Sequence, residues 1–261
     1  MKVPVGGGST VSLTGIQGEA TGIVVTGGNV YWATIGDPTT FGTGGVDIGA
    51  ISRVSTSGGT VTVLASKRAE PSVLATNGSV LAWTEYATPN VMVMPIGGGT
   101  PSTVMTGSFT DGMSGVAVDA ANVYWSINGS NIVMQMALAG GNPITLADSQ
   151  QGPGSIALDG ANVYWADANS IRSTPIGGGA ITTLLTQAAG IGIGHLAVDG
   201  PYVYFVNSTS SGASSILRLT ISSGGLTTVV STGAPDAFAL DSVNIYWTDP
   251  TAGTVNKAAK P

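Results

Sequence analysis

The chain has 261 residues, 43% of them hydrophobic, only 8% charged and 40 of them glycine, with a formal net charge of −6 and no cysteine. Charge at about a third of its usual share, with glycine at about twice its usual share, describes a surface built mostly of Ser, Thr, Asn and Gly. Eight Lys and Arg scattered along the chain make no basic stripe, which argues against nucleic acid and anionic membrane surfaces, and the lack of cysteine excludes disulfides, thiol catalysis and thiolate metal sites.

The chain opens Met1-Lys2-Val3 without a cationic-plus-apolar leader. Low charge and abundant Ser, Thr and Gly favour export, so an extracellular or cell-envelope protein is expected, its signal lying outside this sequence. Mean hydropathy is +0.33, but the apolar residues come in strand-length pieces and no run of about 18 lacks turn formers, so membrane insertion is not expected. Gly6-Gly7-Gly8 followed by Thr10–Leu13 reads as a turn and a strand; Met1–Val5 also has strand character.

Next comes a triplet that recurs along the whole chain: Val30-Tyr31-Trp32, the degenerate Leu81-Ala82-Trp83, Val123-Tyr124-Trp125, Val163-Tyr164-Trp165, Val203-Tyr204-Phe205 and Ile245-Tyr246-Trp247. The third positions are 51, 42, 40, 40 and 42 residues apart, the first gap being widened by an insertion. A repeat of about 40 residues with strand-length apolar runs is a propeller signature. Each unit reads as four short strands, for example Ile156–Leu158, Val163–Ala166, Ile171–Ile176 and Ile181–Leu185.

The turn after the first strand carries Asp119, Asp159, Asp199 or Asp241, where the side chain can cap the backbone. The turn after the third strand is glycine-rich, as in Gly97-Gly98-Gly99 and Gly177-Gly178-Gly179. Such a sheet cannot cover its own faces, but radial stacking buries each against the next. The expected fold is therefore all-β: a six-bladed β-propeller of four antiparallel strands per blade, residues 1–261 forming one domain. The last unit stops after a third strand, Thr254–Ala259, so the N-terminal strand is expected to complete the C-terminal blade and close the ring.

Ile245-Tyr246-Trp247-Thr248-Asp249 resembles the YWTD repeat of low-density-lipoprotein-receptor propellers, and the chain is also similar to bacterial exported proteins with repeated VYWxD and GGG segments. Trp165-Ala166-Asp167 and Trp83-Thr84-Glu85 keep the acid, Phe205-Val206-Asn207 has an amide, and Trp32-Ala33-Thr34 and Trp125-Ser126-Ile127 have neither. The resemblance implies a propeller used mainly for binding, with these motif positions structural.

Catalytic patterns are nearly absent: one histidine, no G-x-S-x-G elbow, no Walker loop and no H-E-x-x-H. What the repeat does not explain is more informative. Loops between second and third strands share one face with the blade-to-blade connections, and the non-repeat polar and aromatic residues gather there: Asp37, Phe41 and Asp47 in the insertion, Lys67, Arg68, Glu70, Glu85, Tyr86, Phe109, Asp111, Asp148 and Asp236. Arg53, Arg172, Arg218 and Lys257 lie in third strands and are expected to be solvated. His195 takes an inner-strand position held elsewhere by Gly22, Ser72, Gly115, Ser155 and Ala237, which places an imidazole on the channel wall.

The expected ligand-binding residues are Phe41, Tyr86, Phe109, Glu70, His195 and Asp236. They point to a monomeric, lectin-like module for a carbohydrate, peptide or protein partner. No cofactor is called for; calcium is the one metal considered, near Glu70 and Asp236 or in the insertion carrying Asp37 and Asp47. The alternative is a hydrolase or lyase at the channel mouth, with His195 as general base and Glu70 or Asp236 as metal ligand or acid.

Overall fold

The computed structural model describes residues 1–2, 4, 9, 11–15, 19–35, 49–107 and 112–261. Among them are twenty-three strands and no helix. The first sheet is β1 (Ala20–Thr26), β2 (Asn29–Thr34), β3 (Gly49–Ser55) and β4 (Thr62–Arg68); the second is β5 (Pro71–Thr76), β6 (Val80–Glu85), β7 (Asn90–Pro95) and β8 (Ser102–Thr106). The third is β9 (Met113–Val118), β10 (Asn122–Ile127), β11 (Ile132–Ala137) and β12 (Ile144–Ala147); the fourth is β13 (Ile156–Leu158), β14 (Asn162–Ala166), β15 (Ser170–Pro175) and β16 (Thr182–Thr186). The fifth is β17 (Ile191–Asp199), β18 (Tyr202–Thr209), β19 (Ser214–Thr220) and β20 (Leu226–Val230), and the sixth is β21 (Phe238–Leu240), β22 (Asn244–Asp249) and β23 (Thr254–Ala259). Strands adjacent in sequence pair within each sheet, and the fold is a six-bladed β-propeller.

The sixth sheet has three strands among the described residues. Of the strand expected to complete it, Thr10 lies outside the described residues, while Val11 forms an antiparallel bridge with Lys2, with paired backbone hydrogen bonds of 2.7 Å. The two N-terminal segments thus pair with each other across the glycine run. Leu13 packs on Trp32 and Val54 of the first sheet.

The chain divides into two compact units, residues 1–123 with 136–143 and residues 124–135 with 144–261. In the first, Leu74, Trp83, Met92 and Met94 of the second sheet pack on Tyr31, Ala33, Ile51 and Ala65 of the first. In the second, Leu196, Phe205 and Leu219 meet Tyr164, Ala166 and Ile171, and Phe238, Ile245 and Trp247 meet Tyr204, Val206 and Ile216. Consecutive strand residues point to opposite faces. The Tyr of one triplet therefore meets the third residue of the next: Tyr31 meets Trp83, Tyr164 meets Phe205 and Tyr204 meets Trp247. Trp83, Trp125 and Trp165 are wholly buried, which leaves them no role as a stacking platform for sugars.

The first-strand turns are capped as their sequence predicts. Asp159 Oδ1 accepts the Ala161 and Asn162 N–H groups at 2.8 and 2.7 Å, and its Oδ2 accepts the Tyr164 hydroxyl at 2.5 Å. Asp241 repeats this with Val243, Asn244 and Tyr246 at 2.8, 2.6 and 2.6 Å. Asp119 takes Ala121 and Asn122, both at 2.7 Å, and Asn77 fills the position in the second blade, accepting from Ser79 and Val80. In the fifth blade Asp199 is drawn into an ion pair with Lys260 at 2.5 Å. The run Gly177–Gly179 has positive φ at all three residues and Gly178 N–H donates to Pro175 O at 2.9 Å, a backbone that only glycine adopts without strain.

Two third-strand cations are not the solvated residues expected. Arg172 pairs with Asp167 at 3.0 Å and donates to Gln150 at 3.1 Å. Arg218 lies over the Tyr202 ring at 4.3 Å and bonds the Pro261 carbonyl. In both cases an acceptor or aromatic brought by the neighbouring strand or connection outcompetes water.

Candidate functional site

Three connections of the first unit, β4–β5, β6–β7 and β8–β9, converge on a cavity of about 590 Å³ lined by Glu70, Glu85, Tyr86, Ala87, Pro89, Gly112 and Met113. The β4–β5 connection is sharply folded, Lys67 and Glu70 both taking left-handed φ, 54° and 55°. It is clamped to the next loop by Tyr86 N–H donating to Glu70 O at 3.0 Å and Ala87 N–H to Ala69 O at 3.2 Å.

Beneath the cavity Glu85 is buried and saturated. Its Oε1 receives Arg68 Nη2 at 2.6 Å, Arg68 Nε at 2.7 Å and Trp83 Nε1 at 3.2 Å, while Oε2 receives Asn90 Nδ2 at 3.2 Å. Arg68 also lies 5.9 Å from the centre of the Trp83 ring. Glu85 is thus a strut between two loops, and its oxygens are committed. What remains for a ligand is Glu70, whose carboxylate has no partner among the described residues, and Tyr86, 72% exposed beside a wall of Ala87, Pro89 and Met113. A free acceptor next to an exposed aromatic can hydrogen-bond and stack; it supplies no nucleophile–base pair.

The acid at this motif position is a strut elsewhere too. Asp249 accepts Ala252 N–H at 2.9 Å and Ala234 N–H at 3.0 Å, tying its own β22–β23 turn to the incoming connection, and these bonds hold its carboxyl below the usual carboxylate range. Asp167 joins Gln151 N–H and Arg172 in the same way, but burial outweighs the favourable partners and pushes its carboxyl up. Trp165 Nε1 donates to Gln150 at 3.2 Å. The structural role that the YWTD-like motif implies is therefore met by Glu85, Asp167 and Asp249.

In the second unit His195 is solvent-exposed on β17, with its ring edge-to-face against Phe238 at 4.9 Å. Protein crowded around it lowers the imidazole below its ordinary pKa, against the opposing pull of a hydrogen bond to the Phe238 backbone and of the Asp236 charge. His195 is thus neutral near pH 7, a form able to accept a proton. The small residues at its sister positions have a packing cause: a Cβ on Gly22 would overlap the Ser72 carbonyl, and Ser155 Oγ accepts Leu196 N–H at 3.1 Å.

Of the expected ligand-binding residues, Glu70 and Tyr86 share the cleft in the first unit, and His195 and Asp236 share a neighbourhood in the second. Phe41 and Phe109 lie outside the described residues, as do Asp37, Asp47 and Asp111. Among the described residues no group of three or more His, Cys, Asp or Glu is placed to hold a metal. Sequence reasoning missed the Gln150–Trp165–Arg172 network and a second cleft of about 390 Å³ lined by Gln151, Ala168, Asn169 and 189–192. A signal for that cleft existed. Adding the 82-residue offset between Trp83 and Trp165 carries Tyr86 and Ala87 onto Ala168 and Asn169, so the two clefts are repeat-equivalent.

No family model and no curated protein matches this chain. Solved structures do. A catalytically inactive histidine-to-alanine virginiamycin B lyase from Staphylococcus aureus, with quinupristin, is similar at a TM-score of 0.72 and 18% identity, over 92% of this chain and 80% of that one. A streptogramin B lyase gives 0.70 and 13%, over 93% and 83%. A structure of the nidogen/laminin complex gives 0.62 and 18%, over 80% and 79%. At these identities the likeness establishes the propeller fold alone, in agreement with the architecture that the YWTD-like repeat implies.

Proposed function

We propose that this chain is a non-enzymatic binding module, exported from the cell, that takes a carbohydrate, peptide or protein partner at the Glu70–Tyr86 cleft. The observation that carries the reading is that cleft: it is built from connections the repeat leaves free to vary, and its two uncommitted groups are a carboxylate and an exposed aromatic. Aromatics beside polar groups suit sugar and peptide recognition. A propeller of similar fold in complex with a protein, nidogen with laminin, supports a macromolecular partner.

The test is thermal unfolding against a panel of glycans and peptides, with calcium and EDTA arms. A ligand of the native state at 100 times its Kd adds about 2.7 kcal/mol, several degrees for a domain of this size. The shift should vanish in Tyr86→Ala, at an exposed ring, or in Glu70→Gln, which removes the charge and keeps the side chain's size. A ligand-induced shift untouched by both variants would rule the cleft out.

The second reading is a lyase centred on His195. Its support is the neutral, exposed imidazole beside Asp236 and the likeness to a lyase whose histidine-to-alanine variant is inactive. Quinupristin consumed by the native chain and spared by His195→Ala would favour it; quinupristin left intact by the native chain would set it aside.

A further inference from the structure

Thirteen residues before Trp125 and Trp165 the incoming connections carry Gly112 and Gly152, at φ 55° and 68°; the same step back from Trp83 reaches Glu70, at φ 55°. Sixteen residues before Trp83 and Trp165 the match recurs, Lys67 and Ser149 both lying at φ 54°. The β4–β5 connection thus repeats the backbone of its sister β12–β13, with a long acidic side chain where glycine would meet no steric penalty. A non-glycine residue in the left-handed region persists only where its surroundings enforce it, and such residues cluster at binding sites. The enforcement is visible: Tyr86 N–H donates to Glu70 O at 3.0 Å and Ala87 N–H to Ala69 O at 3.2 Å.

The chemistry left on offer is one-sided. Those two N–H groups are spent, Pro89 has none, and the Glu85 carboxylate is taken by Arg68, Trp83 and Asn90. Among the described residues the ion pairs are Arg68–Glu85, Arg172–Asp167 and Lys260–Asp199, and none of them neutralises Glu70. A neutral sugar, which brings acceptors as well as donors, finds few donors in such a lining. An ammonium or guanidinium group carries donors only and is matched by a free carboxylate; the face of an exposed ring beside it attracts the same charge. Ala87 and Pro89 offer an apolar wall to a methylene stem. The groups that would hold the cation all lie in residues 70–89, described without a gap, and Tyr86 is open to solvent.

We propose that the Glu70–Tyr86 cleft selects a basic side chain, lysine or arginine, of a peptide or protein partner. This rests on the cleft being the binding site and narrows what it takes. The cationic head meets the Glu70 carboxylate and the Tyr86 ring, and its stem lies along Ala87 and Pro89. The net charge of −6 favours its approach.

The test follows the backbone amides of Tyr86 and Ala87 in the ¹⁵N-labelled chain, with EDTA present. The probes are blocked alanine peptides whose central residue is lysine, arginine, acetyl-lysine or norleucine, and a panel of neutral glycans. The lysine and arginine peptides should bind about tenfold more tightly than the two uncharged ones, and the preference should shrink as salt is raised. Glu70→Gln should erase the preference and Tyr86→Ala should weaken it, whereas Asp148→Asn, which removes the same charge at an exposed position outside the cleft, should leave it intact. Glu70→Gly should erase it too while unfolding at no lower temperature than the native chain, because glycine suits φ 55°, so that lost binding is not lost fold. Equal affinity for the lysine and acetyl-lysine peptides, shifts at these amides with glycans alone, or a preference lowered as much by Asp148→Asn as by Glu70→Gln would overturn the cationic assignment and leave the cleft standing. No shift at either amide with any probe would overturn both.

Discussion

One carboxylate, Asp159, fixes a turn and an aromatic at once, and its protonation state decides both. Although partial burial pushes the Asp159 carboxyl up, the bonds from Tyr164, Ala161 and Asn162 outweigh it and hold it below its ordinary 3.8. The same burial and bond push the Tyr164 phenol up to about 12 from 10.0. The signs follow: the lowered Asp159 contributes stability above pH 3.8 that is lost as pH falls below it, and the raised Tyr164 contributes below pH 10 what is lost as pH rises through about 12. Tyr164→Phe should cost about 1 kcal/mol at pH 7, trimmed by solvent screening at the turn. Unfolding midpoints of the variant and the native chain should converge as Asp159 protonates. The aspartate cap was legible in the sequence because turn chemistry is local. Its second bond was not, since the triplet pattern gives the face that Tyr164 occupies but not where its hydroxyl reaches.

Between elements, closeness of approach and shared charge decide what can be changed. A methyl on Gly22 has no room beside Ser72, so Gly22→Ala should lower stability by about 1–3 kcal/mol, read as a drop in the denaturation midpoint with the slope unchanged. The small residues of the inner strands were legible as a row, and their cause, the approach of β1 to β5, was not. The Arg68–Glu85 pair makes a different prediction. Glu85→Leu alone strands a partly buried guanidinium and should cost about 3 kcal/mol, whereas Arg68→Leu with Glu85→Leu should cost less than the single change. A double-mutant cycle by chemical denaturation checks it. Glu85 ends β6 and Tyr86 begins the connection that follows, and only the structure separates the strut from the exposed side chain.

For the molecule as a whole, eight cations against fourteen acids leave little charge to keep copies apart. Solubility should therefore pass through a pronounced minimum near the isoelectric point of about 4.4, recovering above pH 6 as the acids ionise; turbidity across a pH series measures it. The propeller itself was legible, because six copies of one pattern are hard to mistake. The candidate site was legible only as a face, because the connections that build it are where the copies stop agreeing. The caps carry a further consequence, which concerns how such chains grow. Asp159 and Tyr164 are five residues apart, as are Asp241 and Tyr246, so a duplicated segment brings its own fastening with it. A lineage can then lengthen or shorten the array in single genetic steps, with no matching substitution required elsewhere, while the connections between copies stay open to selection for new partners.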